Sequence, residues 1–292
     1  RSAVFEHVQE VVQHELPDCM VLPVGSFPLK TYLPYADVDM VMFLPPKATS
    51  TSVGPVGGVG AERHSRSWPP LLETAKPEIR NVSLINARTP IVTMVVGNVV
   101  VDLTENQGGS VAASALLEEA DNLIQRNHLF KRSLLLLKAW AWCETPRLVG
   151  NRVLGARKGG LTSYGLSVMV LHLFAASASA DALVHPLDVL IRFFEVYSEF
   201  DWARYCLTLD GPVPLESVRG SHPYEGSHGN GGTSSRFEPL VKKVLAELFR
   251  TPRFAAGAMP HFPRRDCNIQ DPLNALNNLG HSVTKNNLKA LK

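Results

Sequence analysis

Residues 24–39 combine a Gly-Ser turn with a pair of aspartates and read Val24-Gly-Ser-Phe-Pro-Leu-Lys-Thr-Tyr-Leu-Pro-Tyr-Ala-Asp-Val-Asp39. The apolar run that follows, residues 40–44, is typical of a buried strand. On a strand Asp37 and Asp39 point to the same face, with their Cα atoms about 6.6 Å apart. Two carboxylates aimed at one place repel each other unless a cation lies between them. Mg²⁺ or Mn²⁺, which prefer oxygen ligands, would suit this pair.

Gly25 and Ser26 follow another apolar run, residues 19–24, which predicts a strand. Glycine lets the backbone approach a ligand closely, and serine is a frequent helix N-cap. We therefore expect a short helix that ends before Pro34 and whose N-terminus favours phosphate. A metal site next to a phosphate site indicates nucleotide chemistry, although an isolated Asp-x-Asp is also compatible with a solvated turn or a strand edge.

The turn and the aspartate pair together resemble the active-site motif of the DNA polymerase beta-like nucleotidyltransferase superfamily. The residues between them, 30–34, are most similar to its RNA-tailing branch, the noncanonical poly(A) polymerases and terminal uridylyltransferases. This resemblance implies that Asp37 and Asp39 are catalytic metal ligands and that Gly25 and Ser26 contact the nucleotide. It also implies a third carboxylate on a nearby strand.

Asp102 is the candidate for that third carboxylate. It lies in the β-rich run 99–104, which follows a second such run, 91–96, across the two-residue hairpin signal Gly97-Asn98. A charge among valines is costly unless it is paired or binds metal, and an edge-strand aspartate that faces solvent is the alternative. Because the superfamily carries its third carboxylate on a strand of this kind, the resemblance assigns Asp102 to catalysis and metal binding.

Composition limits the protein class. The chain has 292 residues, 45% of them hydrophobic, which is enough for one large or two medium domains. Its net charge of +2 is too small to indicate nucleic-acid binding by the chain as a whole, so any basic surface that binds RNA has to be local. Four isolated cysteines argue against zinc and disulfides and for a reducing compartment, the cytoplasm or nucleus. We expect no membrane span, and we interpret a chain that begins at Arg1 as part of a longer protein.

The strongly apolar segment 128–143 predicts a helix with two lysines on nearly the same face, Lys131 and Lys138, seven residues apart. Two solvated lysines are the simplest interpretation. In the RNA-tailing branch, however, a Leu-Lys-x-Trp helix supplies a lysine to the triphosphate, and residues 137–140 match it as Leu-Lys-Ala-Trp. The resemblance therefore implies a phosphate contact for Lys138, with Lys131 as a second candidate, and lysine suits such a contact as a mobile point charge.

Residues 159–166, Gly-Gly-Leu-Thr-Ser-Tyr-Gly-Leu, open a further helix with Thr162 or Ser163 as its cap. As a cap and a core residue, Ser163 and Tyr164 need no further function. The segment nevertheless resembles the family's Ser-Ser-Tyr element, in which the serine meets the phosphates and the tyrosine stacks on the base. We therefore expect both residues to bind nucleotide, and stacking tolerates any base.

The segment 268–283 resembles the family's nucleotide-recognition loop, Asp-Pro followed by Asn-hydrophobic-Gly-Arg-(Ser/Thr)-Val. The matched positions are Asp271, Pro272, Asn278, Leu279, Gly280, Ser282 and Val283. His281 replaces the family's arginine, and Asn277 stands where uridylyl-selective members have a histidine. The resemblance implies nucleotide contacts by Asn277 and Asn278 and favours AMP over UMP, whereas a polar loop that merely turns is the alternative.

Together these features predict an α+β fold. A nucleotidyltransferase domain with a small mixed β-sheet should occupy residues 1–109, and an all-helical domain like that of poly(A) polymerase and oligoadenylate synthetase should occupy residues 110–292, with the nucleotide in the cleft between them. We expect a flexible, glycine-rich insertion at about residues 47–66 and a helix over residues 1–16 that packs on the second domain. The sequence as a whole is most similar to plant-type members of the branch.

The predicted function is template-independent transfer of a nucleoside monophosphate, AMP before UMP, from its triphosphate to an RNA 3′-hydroxyl. Two divalent ions, Mg²⁺ or Mn²⁺, are the implied cofactors, and ATP and an RNA 3′ end are the implied partners. One alternative is a synthase of a small oligonucleotide messenger. Another is a catalytically inactive RNA-binding or scaffold module, against which the three aspartates argue.

Overall fold

The computed structural model describes residues 1–44, 78–86, 89–144, 153–177, 183–218, 237–250 and 261–289. The predicted insertion at about residues 47–66 lies outside this part of the chain. The described residues form two compact units, and the division falls inside a helix, between Ser114 and Ala115. A short segment that begins at Glu247 groups with the first unit.

The first unit contains a five-stranded sheet and the helix that precedes it. Its elements are α1 (Ser2–Glu15), β1 (Met20–Val24), β2 (Val38–Phe43), β3 (Ile79–Ile85), β4 (Ile91–Val96) and β5 (Val99–Glu105). The strand order is β1-β2-β5-β4-β3. The β2–β5 pair is parallel and the other neighbouring pairs are antiparallel, so the small mixed sheet predicted from the sequence is confirmed.

Helix α1 packs on the sheet of the first unit. Its buried residues Val8, Val11 and Val12 share one apolar core with sheet residues such as Met40 and Leu103. The contact of this helix with the second domain stays a prediction, and its buried face packs on the sheet of its own unit. Only residues 16–19 separate α1 from β1, so the apolar face of the helix folds back onto the adjacent sheet.

The second unit is mainly helical. Its helices, with α2 beginning in the first unit, are α2 (Gly108–Ile124), α3 (Leu129–Glu144), α4 (Ser163–Ala176), α5 (Pro186–Ser198), α6 (Glu238–Arg250) and α7 (Lys285–Leu288). Two hairpins that an all-helical prediction does not include are β6–β7 (Tyr205–Thr208, Gly211–Pro214) and β8–β9 (Gln270–Asp271, Asn274–Asn278). In both hairpins the strands are only two to five residues long, too short to give a clear alternating pattern.

Helix α4 is the centre of the second unit, because every residue from Gly165 to Phe174 is buried. Helices α3 and α5 pack against it and against each other. The Tyr197 hydroxyl of α5 donates to the Met169 carbonyl of α4 at 2.7 Å, which fixes the two helices in register. Among the described residues, no helix is long and apolar enough to cross a membrane.

Candidate active site

Three carboxylates meet at the junction of β2 and β5. The parallel register pairs Asp39 directly with Asp102, and Asp37 lies immediately before β2. One carboxylate oxygen from each aspartate lies within 4.8 Å of the other two. Opposite ligands of Mg²⁺ stand about 4.2 Å apart, so small side-chain rotations would let all three oxygens bind one hard divalent ion. The donor set and its spacing fit the metal that the sequence predicts.

Gly25 lies against this carboxylate cluster in a conformation that only glycine adopts easily. Its φ is +70°, and a Cβ atom at this position would stand 2.9 Å from Oδ2 of Asp39. The Gly25 amide donates to Oγ of Ser114 at 2.9 Å, and the Ser114 hydroxyl donates to the Ser110 carbonyl at 2.9 Å. The first turns of α2 therefore hold the Gly-Ser turn beside the aspartates.

The short helix expected after Gly25 does not form. Residues 25–30 make consecutive turns, and Lys30 has a φ of +57°, which interrupts helical hydrogen bonding. The carbonyl of Ser26 accepts from Thr31, five residues on, at 3.0 Å. Ser26 is thus not a helix N-cap, and no helix dipole supports phosphate at this place. What Ser26 can offer a phosphate is its hydroxyl and the surrounding turn.

Arg1 holds the loop that leads into Asp37. Its guanidinium donates to the carbonyls of Pro34 at 2.8 Å and Ala36 at 2.7 Å. The same group lies 4.6 Å from the centre of the Tyr32 ring, a cation–π distance. Sequence reasoning missed Arg1 and Ser114 because neither stands in the motif, although the Ser110–Ser114 spacing places both serines on one helix face.

In the second unit, Asp271 joins two of the predicted nucleotide-binding residues. The Tyr164 hydroxyl donates to Oδ1 of Asp271 at 3.1 Å, and Nδ2 of Asn277 donates to Oδ2 at 2.9 Å. The Leu273 amide also donates to Oδ1, at 2.9 Å. Burial raises the pKa of Asp271, and these donors partly oppose the rise. Burial and the nearby Asp271 carboxylate raise the pKa of Tyr164 well above its ordinary value, so the phenol stays protonated.

Asn278 organises the recognition loop from inside. Its side chain is completely buried, and its Oδ1 accepts from the amides of Ile269 at 3.0 Å and Gly280 at 2.9 Å. Its Nδ2 donates to Pro263, Cys267 and Asn268. Both ends of this amide are thus engaged within the loop, which favours a structural role for Asn278, and its contact with the nucleotide stays a prediction.

The start of α4 lies against the same loop. Thr162, and not Ser163, is the N-cap, because its Oγ1 accepts from the Gly165 amide at 2.8 Å. Ser163 is exposed at the first position of the helix. A Cβ at Gly165 would stand 3.3 Å from the Leu279 carbonyl, so glycine permits this close packing. The packing brings Ser163 and its helix start next to the loop.

The two lysines of α3 differ in their surroundings. Nζ of Lys131 lies 2.7 and 2.8 Å from the two carboxylate oxygens of Glu118 and 3.6 Å from Asp121. Its charge is therefore balanced inside the fold, which favours a structural role for Lys131. Lys138 is buried on the same helix, with only 7% of its surface exposed. A phosphate contact by either lysine stays a prediction.

Comparison with protein families matches both parts of the chain. Residues 124–292, more than half of the chain, match the PAP/OAS1 substrate-binding domain. Residues 1–119 match the central palm domain of mitochondrial-like poly(A) RNA polymerase. The chain belongs to the noncanonical poly(A)/poly(U) polymerase family. This polymerase-family protein is therefore a nucleotidyltransferase, and its palm match contains the three aspartates while its substrate-binding match contains Tyr164 and Asn277.

Solved structures share the fold of this polymerase-family chain. The polymerase core of TRAMP, an RNA surveillance complex, has a TM-score of 0.63 and 21% identity, covering 100% of this chain and 77% of the other. A histidine-to-asparagine variant of the Cid1 poly(U) polymerase bound to MgATP gives 0.61 and 17%, covering 98% and 83%. The GLD-2/RNP-8 complex gives 0.58 and 14%, covering 86% of each chain. Comparison with curated protein sequences finds no match.

Proposed function

We propose that the protein transfers AMP from ATP to the 3′-hydroxyl of an RNA without a template. The observation that carries the proposal is the parallel register of β2 and β5, which pairs Asp39 with Asp102. Together with Asp37 they bring three carboxylate oxygens within 4.8 Å of one another. A metal-binding carboxylate cluster at this place suits phosphoryl chemistry that depends on positioning and charge neutralisation.

Each site residue then has one role in the transfer. Two bound Mg²⁺ or Mn²⁺ ions would neutralise the triphosphate and lower the pKa of the 3′-hydroxyl. Asp37 and Asp39 would hold the first ion beside the triphosphate, and Asp102 would complete the ligands of the second. The 3′-oxygen attacks the α-phosphorus and pyrophosphate leaves. Gly25 and Ser26 shape the turn at the phosphates, and the remaining contacts come from Lys138, Ser163 and the stacked ring of Tyr164.

The preference for ATP rests on the orientation of the Asn277 amide. Nδ2 of Asn277 donates one hydrogen to the Asp271 carboxylate, and we assign Oδ1 as the atom that accepts from a base. An acceptor suits the exocyclic amino group of adenine and opposes the O4 acceptor of uracil.

Incubation with a labelled oligo(A) primer, Mg²⁺ or Mn²⁺ and each nucleoside triphosphate in turn tests the proposal. We expect primer extension with ATP above UTP, and Asn277→His should raise the ratio of UMP to AMP incorporation by about tenfold or more. Products that form without a primer would instead indicate synthesis of a small oligonucleotide messenger. No product with any triphosphate would refute the proposal and favour an inactive binding module.

We also propose a reducing compartment, the cytoplasm or the nucleus. All four cysteines are free thiols, and Cys19, Cys206 and Cys267 are buried. Burial raises the pKa of Cys206 to about 12, so this thiol is not a reactive nucleophile. Localisation of a tagged full-length protein by fluorescence microscopy tests this assignment, and a secreted protein would contradict it.

A further inference from the structure

Helix α7, which follows the recognition loop, and the segment before α4 together carry an exposed group of basic side chains. Arg157 and Lys158 belong to a short 3-10 turn, and Lys285 and Lys289 lie on and just after α7. All four residues are exposed. We call these four residues the basic face.

Hydrogen bonds join the two halves of the basic face. Nδ2 of Asn287 donates to the Lys158 carbonyl at 2.9 Å, and the Thr284 amide donates to the Gly159 carbonyl at 2.9 Å. Gly159 has a φ of +77°, and a Cβ there would stand 2.6 Å from Cγ2 of Thr284, so only glycine permits this contact. Since Asn287 is buried against the turn, Lys285 and Lys289 project from the opposite side of α7 toward solvent.

The two segments of the sequence that carry the basic face contain no acidic residue. Neither residues 153–177 nor residues 272–289 contain an aspartate or a glutamate. The rest of the chain has 25 lysines and arginines against 27 acidic residues. The small net charge of the whole chain is therefore compatible with one locally basic region, which RNA binding by a protein of this composition would need.

The position of the basic face connects it with the nucleotide residues. Residues 159–162 lead from the 3-10 turn directly into Ser163 and Tyr164, and the Ser282 hydroxyl of the recognition loop donates to the Gly160 carbonyl at 2.9 Å. A polyanion on this face would thus lie beside the residues that we assign to the incoming nucleotide. We propose that the basic face binds the phosphate backbone of the single-stranded RNA acceptor, an inference that rests on the proposed function.

The surface chemistry favours RNA over an acidic protein. Protein interfaces are anchored by apolar or aromatic side chains. Among the described residues, none of the exposed large hydrophobic side chains belongs to residues 153–177 or 272–289. Exposed neighbours of the lysines include Thr284, Asn286 and His281, which hydrogen-bond phosphate or sugar readily.

The test compares two triple variants by fluorescence anisotropy with a labelled oligo(A) RNA over a series of salt concentrations. Lys158→Gln/Lys285→Gln/Lys289→Gln removes three charges from the basic face. Arg204→Gln/Lys242→Gln/Lys243→Gln removes three exposed charges elsewhere on the second unit and serves as the matched control. The slope of log affinity against log salt should become shallower by about 2 in the first variant, because each phosphate contact on single strands contributes about 0.7.

We expect the first variant to bind RNA at least about tenfold more weakly at physiological salt and to show a matching rise in the KM for primer. Its KM for ATP and its kcat at saturating primer should equal those of the control. Equal RNA affinity and equal salt slope in the two variants would overturn the inference. Weaker ATP binding with unchanged RNA binding would overturn it by assigning the face to the triphosphate.

Binding of polyglutamate separates the protein alternative. If the first variant loses polyglutamate binding and keeps RNA binding, the face belongs to an acidic protein and the inference is wrong. A different result would refute the proposed function without affecting the inference about the basic face. A wild-type protein that binds RNA through these lysines but transfers no nucleotide refutes the transfer reaction and leaves the basic face intact.

Discussion

The carboxylate cluster of the first unit and the recognition loop of the second are built by different means. In the first, backbone pairing does the work, because the β2–β5 register alone brings Asp39 beside Asp102. In the second, side-chain hydrogen bonds decide the shape of the loop. The neighbours Asn277 and Asn278 differ in burial, because Asn277 is partly exposed and Asn278 is completely buried. The positions of Asp39 and Asp102 along their strands are therefore set by the backbone, whereas the shape of the loop depends on the hydrogen bonds of one buried amide.

The largest expected effect is on the carboxylate cluster. Asp102→Asn keeps the size of the side chain and removes the charge that binds metal, so single-turnover AMP transfer should fall by at least about 10²–10³-fold. Because the register of β5 comes from its backbone, thermal unfolding should stay close to that of the wild type. Transfer at the wild-type rate would show that Asp102 is not a metal ligand.

Substituting the two asparagines of the recognition loop should lower the stability of the protein to different extents. Asn278→Ala leaves the buried amides of Ile269 and Gly280 without an acceptor and should lower the free energy of unfolding by about 3 kcal/mol or more. Asn277→Ala loses one bond, to Asp271, and should cost about 1 kcal/mol while changing the choice of base. Urea denaturation measures both, and equal losses of stability would contradict the contrast.

Gly25→Ala tests how closely the turn fits the carboxylates. A positive φ should cost about 1–2 kcal/mol of stability, and the new Cβ should displace the Asp39 side chain, lowering kcat by about tenfold or more. Gly97→Ala is the matched control, because Gly97 has a φ of +60° and nothing within 4 Å of its would-be Cβ. If the control loses as much activity, the contact with Asp39 is not the cause.

The smallest effect is a pH dependence in the recognition loop. Burial raises the pKa of Asp271 above its ordinary value of 3.8, so the folded state binds this proton more tightly than the unfolded chain. The contribution of Asp271 to stability is therefore greatest below pH 3.8 and declines as the pH rises toward the folded pKa. The difference in unfolding free energy between wild type and Asp271→Asn should decline over the same range, as measured by urea denaturation at a series of pH values. A difference that grows with pH would contradict this sign.

The two regions also differ in how far the sequence predicts them. Apolar runs in the sequence predict the strands, and a motif resemblance predicts the three aspartates. The parallel register of β2 and β5 is then enough to bring Asp39 and Asp102 together. The sequence did not predict the turns at residues 25–30, where local patterns favour a helix and the left-handed Lys30 interrupts it. The sequence also assigned nucleotide contacts to both Asn277 and Asn278. It could not separate them, because the burial and the orientation of an amide side chain depend on residues distant in the chain, such as Pro263.

The central claim is that Asp37, Asp39 and Asp102 form one metal site, and the location of Mn²⁺ in crystals grown with Mn²⁺ and ATP tests it most directly. We predict anomalous scattering peaks within roughly 2.0–2.5 Å of carboxylate oxygens at this cluster, one peak bound by Asp37 and Asp39 with the triphosphate on it and a second peak that also contacts Asp102. Crystals that contain Mn²⁺ and ATP elsewhere, with no peak at the three aspartates, would contradict the account.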